Sequence, residues 1–453
     1  MHGAMAALAL AALLPSDASA QAYQLAPVAR DGDPAPGTGG QLASVGISGA
    51  VFGGPGEVAF VASWDGPSPG SGIFLASGGV VSAPLVSSLD VAPGTGGASF
   101  AQFSGLDRNA AGTLAFTASY GGGSLSERGV FRLEGGGLTA VALVGGAAPG
   151  TGGGSYAGFE PLTNRSLDAS GEIAFRATLA GGSAAQGIFR SSGSSVVPVA
   201  LLGDAAPTGG IWTAFDGAPR IDDQGRVTFV GSTPPAPGAE QVARVPIGGP
   251  AETLVAMDPG CSPLFALCLA NLADPTPGGD GELVFWAEVV FDLSFHVFEG
   301  IFRPAPPVPV GFVDALGPLP APPTETWVAS PPGGLNGDGA VAYTATALDE
   351  NLEVIAHASV VKTRRWHVPV ARTGDPAPGG GTIGFLDTAD LSDEGVVLFL
   401  NLDIELVEAG LFTATPPVPV PALSPIALAA LALLLLAGAG LALRRAAARA
   451  WMK

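Results

Sequence analysis

The sequence predicts an all-β fold, a seven-bladed β-propeller of about 56-residue repeats, followed by a single C-terminal transmembrane helix. Three observations carry the prediction. A Gly-to-aromatic strand recurs seven times at nearly constant spacing; each repeat has room for about four short strands; and the N-terminal segment repeats a piece of the last unit.

The recurring strand reads Gly56 to Phe60, Gly112 to Phe116, Gly171 to Phe175, Gly225 to Phe229, Gly281 to Phe285, Gly339 to Tyr343 and Gly395 to Phe399. By subtraction, successive glycines lie 56, 59, 54, 56, 58 and 56 residues apart. So regular a period outweighs the prior that 453 residues make about three ordinary domains. With 68 Gly, 41 Pro and a 47% hydrophobic fraction, the chain is punctuated rather than disordered.

Within the third copy, strands are predicted over 138–144, 172–179 and 187–190, with a less regular segment holding Phe159 and Leu162. Glycine, proline and serine bound these strands, which implies antiparallel pairing through short turns. A second aromatic strand recurs as Gly72-Ile-Phe74, Gly129-Val-Phe131, Gly187-Ile-Phe189, Gly300-Ile-Phe302 and Gly410-Leu-Phe412. In the fourth and sixth copies it has become Gln241-Val-Ala243 and Ala358-Ser-Val360. The two aromatic positions place large apolar side chains where a core shared between units needs them.

Ala-Pro-Gly is the third landmark, at residues 35–37, 92–94, 148–150 and 377–379. Proline fixes φ and glycine supplies a positive one, so the pair specifies a tight turn. No copy contains Gly-Lys-Ser/Thr or opens a helix, which favours a turn over a phosphate loop. The segment from Tyr23 to Gly37 matches that from Trp366 to Gly379, and the chain lacks a further first strand after Phe412. Residues 25–30 are therefore expected to pair with a strand near residues 407–414, closing the ring and covering its edge. An open β-solenoid or a row of small sandwiches is the alternative architecture.

Residues 1–20 read as a signal peptide: apolar Ala4 to Leu14, polar Ser16 and Asp17, and the small-x-small site Ala18-Ser-Ala20. Residues 21–415 form the repeat body, 416–422 a Pro-rich linker, 423–443 an uncharged span long enough for a membrane helix, and 444–453 a basic tail. Arg444, Arg445, Arg449 and Lys453 place that tail in the cytoplasm and the body outside. Without leader and tail, the body keeps 15 basic against 38 acidic residues, a net charge of −23. Such a surface repels nucleic acid and anionic lipid and suits cations or basic partners, unless it serves solubility alone.

Cys261 and Cys268 are close enough for a local disulfide in an oxidising compartment, with two free thiols as the alternative. Asp33, Asp90, Asp204 and Asp375 occupy one place in four repeats. They are the calcium candidates, the only cofactor the sequence suggests; the competing reading is that each caps its own turn. Asn109, Asp168, Asp222 and Asn336 suit turns with a closing glycine. Glycoside hydrolysis needs two convergent carboxylates; Asp222, Asp223, Asp280 and Glu288 are available, but spacing brings none together. His296, His357 and His367 belong to different copies and lack ligand spacing. No catalytic residue is assigned.

The stretch Asn109-Ala-Ala-Gly-Thr-Leu-Ala-Phe116, with its variants at Asp168, Asp222 and Asn336, resembles the bacterial exported proteins built on a tandem Asn-x-x-Gly-x-x-Ala-Phe repeat with a choice of anchors. The tail from Val420-Pro-Ala-Leu-Ser424-Pro to Arg444-Arg445 resembles an Ile-Pro-Thr-Leu or Pro-Glu-Pro type sorting signal. Ala422 departs from the first type, and the missing Glu after Pro from the second. The resemblance implies an exosortase-like processing enzyme, membrane attachment through the C-terminal helix, and surface display or release in a Gram-negative bacterium. A non-catalytic binding or structural module follows, with a polysaccharide or surface protein as partner. An extracellular hydrolase or lyase on the same fold is the alternative.

Overall fold

The computed structural model describes residues 23–46, 49–121, 128–234, 240–257, 268–278, 282–290, 297–304, 313–315, 326–348, 354–363, 367–378, 380–403 and 408–416. Residues 23–415 make one compact unit. Its described residues form six four-stranded antiparallel sheets and one seven-stranded sheet. In chain order the seven-stranded sheet spans residues 34–87, and the blades after it span 100–143, 155–201, 214–256, 268–315, 326–372 and 385–415. Each sheet packs on the next, and the innermost strand of the last, Phe385–Leu391, packs on Ala50–Phe52 of the first. The arrangement is an all-β, propeller-like ring.

The expectation of seven equal blades is corrected to six regular ones. The first repeat is built differently because glycine and proline interrupt its strands. Positive φ at Gly46 and Gly49 leaves only Ala50–Phe52 as its innermost strand. Pro84 lies between the short strands Val80–Val81 and Val86–Ser87, where it removes a ladder donor. Among the described residues no helix is long and apolar enough to cross a membrane, and the 423–443 span lies outside them. The signal peptide, linker and basic tail also fall outside, save Pro416.

The expected pairing of residues 25–30 with a strand near residues 407–414 is present. Gln24–Arg30 is the outermost strand of the last blade, antiparallel to Glu408–Thr415, with Gln24 opposite Thr415 and Arg30 opposite Gly410. A bulge between Pro27 and Ala29 accommodates the proline. Asp31 accepts the Ala409 N–H at 3.1 Å, and the Arg30 guanidinium lies 5.3 Å from the Phe412 ring centre.

The two aromatic strand positions meet face to face. Phe60 lies opposite Phe74, Phe116 opposite Phe131, Phe175 opposite Phe189, Phe285 opposite Phe302 and Phe399 opposite Phe412. Their rings stack at centroid distances of 5.6–5.9 Å. Adjacent strands thus share one aromatic layer per repeat. Glycine two residues before the second ring is required by the packing. At Gly187 a Cβ would come within 2.7 Å of the Phe189 ring and 2.6 Å of Leu201. In the fourth repeat Phe229 faces Ala243, and Trp212 fills the room, 5.5 Å from Phe229.

Two outcomes check this account. Phe175→Ala should cost about 3–5 kcal/mol in a urea titration, because it empties half of a fully buried pair. Deleting residues 23–31 should lower the unfolding midpoint and produce concentration-dependent association, read by size-exclusion chromatography, because the Glu408–Thr415 edge is uncovered.

Candidate functional site at the axis of the ring

One position of the repeat, five residues before each closing glycine, lies on the innermost strand in every repeat but the third. It holds Val51, Asp107, Ser166, Arg220, Thr276, Gly334 and Asp390. Every one of them is buried. Three charged side chains are thereby carried to a place that a simple repeat would fill with an apolar residue.

The third repeat supplies the material that occupies the axis. Its innermost strand, Ser155–Phe159, is short, and residues 160–166 continue across the ring. Asn164 donates from Nδ2 to the Gly333 carbonyl and, at 3.4 Å, to Asp390. Arg165 donates to the Leu335 carbonyl at 3.1 Å. These partners belong to the sixth and last repeats, so the bonds span the ring rather than one seam. Arg165 has φ 67°, and Asp274, at the same centre, has φ 46°. A left-handed conformation in non-glycine residues costs energy and is held by the surrounding bonds; here the Arg165 carbonyl accepts the Ile221 N–H at 2.7 Å.

Arg220 lies between these groups. It donates to Asn164 Oδ1 at 3.0 Å and to Thr276 Oγ1 at 2.8 Å, and pairs with Asp274 at 3.5 Å. Burial pulls its pKa down, and the Asp274 charge opposes that pull.

Asp107 and Asp390 make the same pair of bonds in different seams. Asp107 accepts from the N–H of Arg108 at 2.8 Å and of Leu167, in the next blade, at 2.7 Å. Asp390 accepts from the N–H of Leu391 at 2.8 Å and of Phe52, in the first sheet, at 2.9 Å. Burial pushes Asp107 up to about 7, the Leu167 N–H opposes this, and the Asp390 charge adds to it. Burial also raises Asp390, against the Arg165 charge and its N–H donors. The axis therefore holds two carboxylates with raised pKa values, two arginines and an asparagine, and every oxygen of both carboxylates already accepts a hydrogen bond.

The residues singled out in the sequence lie elsewhere. Asp33, Asp90, Asp204 and Asp375 each accept the N–H three residues earlier, at 2.7–2.8 Å from Arg30, Ser87, Leu201 and Arg372. A local cap thus accounts for each, and among the described residues no three His, Cys, Asp or Glu side chains gather as metal ligands. Asn109, Asp168, Asp222 and Asn336 accept the N–H four residues on, at 2.8–3.0 Å, from Thr113, Glu172, Arg226 and Ala340. They close the turns that their glycines require, as at Gly112 with φ 87°. Asp222 also pairs with Arg226 at 2.6 Å, and Asp223 accepts the Ala169 N–H. His357 rests edge-on against Phe385. Cys261, His296, Asp280 and Gly281 lie outside the described residues, as do the side chains of Cys268, Glu288 and His367.

The fold and this centre define a class, a propeller-like ring whose axis is filled by its own polar side chains. The chain belongs to the family of unknown function DUF7453, whose model matches residues 17–244 and 167–412. No curated protein matches the sequence. Among solved structures, a protein of unknown function from Dyadobacter fermentans is 11% identical, with 75% of this chain and 99% of that one covered and a TM-score of 0.34. An alpha-L-arabinanase from Penicillium chrysogenum is 11% identical, with 69% and 92% covered and a TM-score of 0.32. A subtype N10 neuraminidase-like protein of the strain A/little yellow-shouldered bat/Guatemala is 10% identical, with 87% and 98% covered and a TM-score of 0.31. Scores of this size carry no functional inference.

The axis gives a signed pH dependence. Because Asp107 is raised from 3.8 to about 7 on folding, its proton favours the folded state: the contribution is complete below pH 3.8 and is lost as pH rises through 7. The stake is up to about 4 kcal/mol. Urea unfolding at about pH 5 and about pH 8.5 should show the wild type losing more stability across the interval than Asp107→Asn, whose side chain does not titrate. Equal losses would contradict the assignment.

Proposed function

We propose that this protein is an exported, non-catalytic β-propeller that acts as a binding or structural module at the cell surface of a Gram-negative bacterium. The observation that carries the reading is the filled axis: Asn164 and Arg165 occupy the ring centre through bonds to Gly333, Leu335 and Asp390. A carboxylate held by N–H donors on both oxygens and covered by protein is placed to join blades rather than to protonate a substrate. The leader at 1–20, the 423–443 span and the basic tail supply export, membrane attachment and processing by an exosortase-like enzyme.

The hydrolase or lyase alternative draws on one observation, the pKa of Asp107 near 7, which is a value suited to a general acid. The two readings separate in one experiment. The purified body, residues 21–415, is incubated with a panel of bacterial and extracellular polysaccharides. The proposal expects retention of one or more of them with no release of reducing ends or unsaturated products. Product release that Asp107→Asn abolishes would establish the alternative.

A further inference from the structure

We infer that the cleft between the second and third repeats binds a small hydroxylated carboxylate of monosaccharide size, a uronic acid unit being the representative case. The inference rests on the binding-module reading and names the ligand chemistry for one site. The cleft has a volume of about 300 Å³ and is lined by Arg128, Glu160, Arg176, Thr178 and Gln186, with Phe159 at its apolar side. This size lies at the lower end of small-molecule sites, enough for one sugar ring.

Charge argues for an anion. The exported body carries a net charge of −23, yet two of its 15 basic residues meet at this one cleft. They differ in their commitments. Arg176 is engaged, donating to Glu160 at 2.8 Å and to the Phe215 carbonyl at 2.5 Å. Arg128 has no side-chain hydrogen bond, ion pair or ring contact among the described residues. A guanidinium held at the first position of the strand Arg128–Glu134, partly buried and without an acceptor, matches a carboxylate in two parallel bonds.

The remaining lining explains why the anion should carry hydroxyls. Glu160 is 44% exposed at its side chain despite its bond to Arg176, so its carboxylate still accepts from a ligand. Thr178 is exposed and offers a hydroxyl. Gln186 accepts the Phe215 N–H at 3.4 Å through Oε1, which leaves its amide donors to the cleft. The lining therefore offers both donors and acceptors beside one uncommitted guanidinium, a combination that suits a polyhydroxy acid. A purely apolar anion would leave the exposed face of the Glu160 carboxylate and the Gln186 amide donors unused, and a neutral sugar would leave Arg128 without a counter-charge.

The test uses the purified body with galacturonate, glucuronate, galactose and glucose, followed by calorimetry and by chemical-shift perturbation. The uronates should bind, the neutral sugars at least about tenfold more weakly, and Arg128→Gln should weaken uronate binding by a similar factor. The melting temperature of Arg128→Gln should stay that of the wild type, since the side chain makes no described contact that folding needs. Equal binding of neutral and acidic sugars, or uronate binding unchanged by Arg128→Gln, would overturn the inference. Retention of a polysaccharide by the body without any uronate response would also overturn it, while leaving the binding-module reading intact; loss of both would remove that reading as well.

Discussion

Every sheet of this ring depends on the seam where the first and last repeats meet, because an open ring would leave two apolar faces and a strand edge in water. The hydrogen bond from the Phe52 N–H to Asp390 joins residues 338 apart in sequence at the inner end of that seam. Gln24–Arg30 closes its outer end by joining the last blade as a fourth strand. One is a part-buried bond to a carboxylate, the other is a backbone ladder. Both join the first repeat to the last, so closure couples units that a linear array would leave independent.

The same logic appears at lower cost around the ring. Arg132 donates to the Gly171 carbonyl at 3.3 Å and Arg190 to the Gly225 carbonyl at 2.8 Å, and Arg303 reaches the Gly339 carbonyl. Each arginine follows the phenylalanine within the second aromatic strand and meets the closing glycine of the following repeat. The turns are joined too: Asn109 Nδ2 reaches the Asp168 carbonyl at 3.0 Å. The aromatic pairs hold each blade together, and these polar contacts set one blade against the next. Apolar packing alone tolerates sliding between sheets, whereas directional bonds between fixed repeat positions do not.

Much of the fold was legible in the sequence because it is written in a period. Gly112, Phe116, Gly129 and Phe131 each serve one local purpose, a positive φ, a buried ring or a close approach, and repetition amplifies each signal. The end-to-end pairing was legible for the same reason, since residues 23–37 repeat residues 366–379. The irregular first sheet was harder to read, because its interruptions at Gly46, Gly49 and Pro84 look like the turns found everywhere else in the chain. The axis is not legible in the period. Its signal lies in departures from the repeat, with Asp107, Arg220 and Asp390 five residues before a glycine, and searching for what recurs passes over what differs. Spacing also could not show that Asn164 and Arg165 leave their own blade, since their bonds to Gly333 and Leu335 are set by the ring as a whole.

The filled axis and the inter-repeat cleft have a common origin in the third repeat. Its spacing of 59 residues is the longest of the six, yet its innermost strand, Ser155–Phe159, has five residues, against nine in Phe100–Arg108 and eight in Ala214–Ile221. The extra length has gone into residues 160–166, which enter the axis. The strand therefore ends early, at the point where Phe159 and Glu160 border the cleft shared with Arg128. Glu160 stands at the division: its N–H bonds to the Arg176 carbonyl at 3.2 Å, its carboxylate to the Arg176 guanidinium, and the chain beyond it turns inward. One local change thus closes the centre of the ring and opens a recess beside it. A blade of regular length in this place would leave the axis without the bonds that Asn164 and Arg165 make across it.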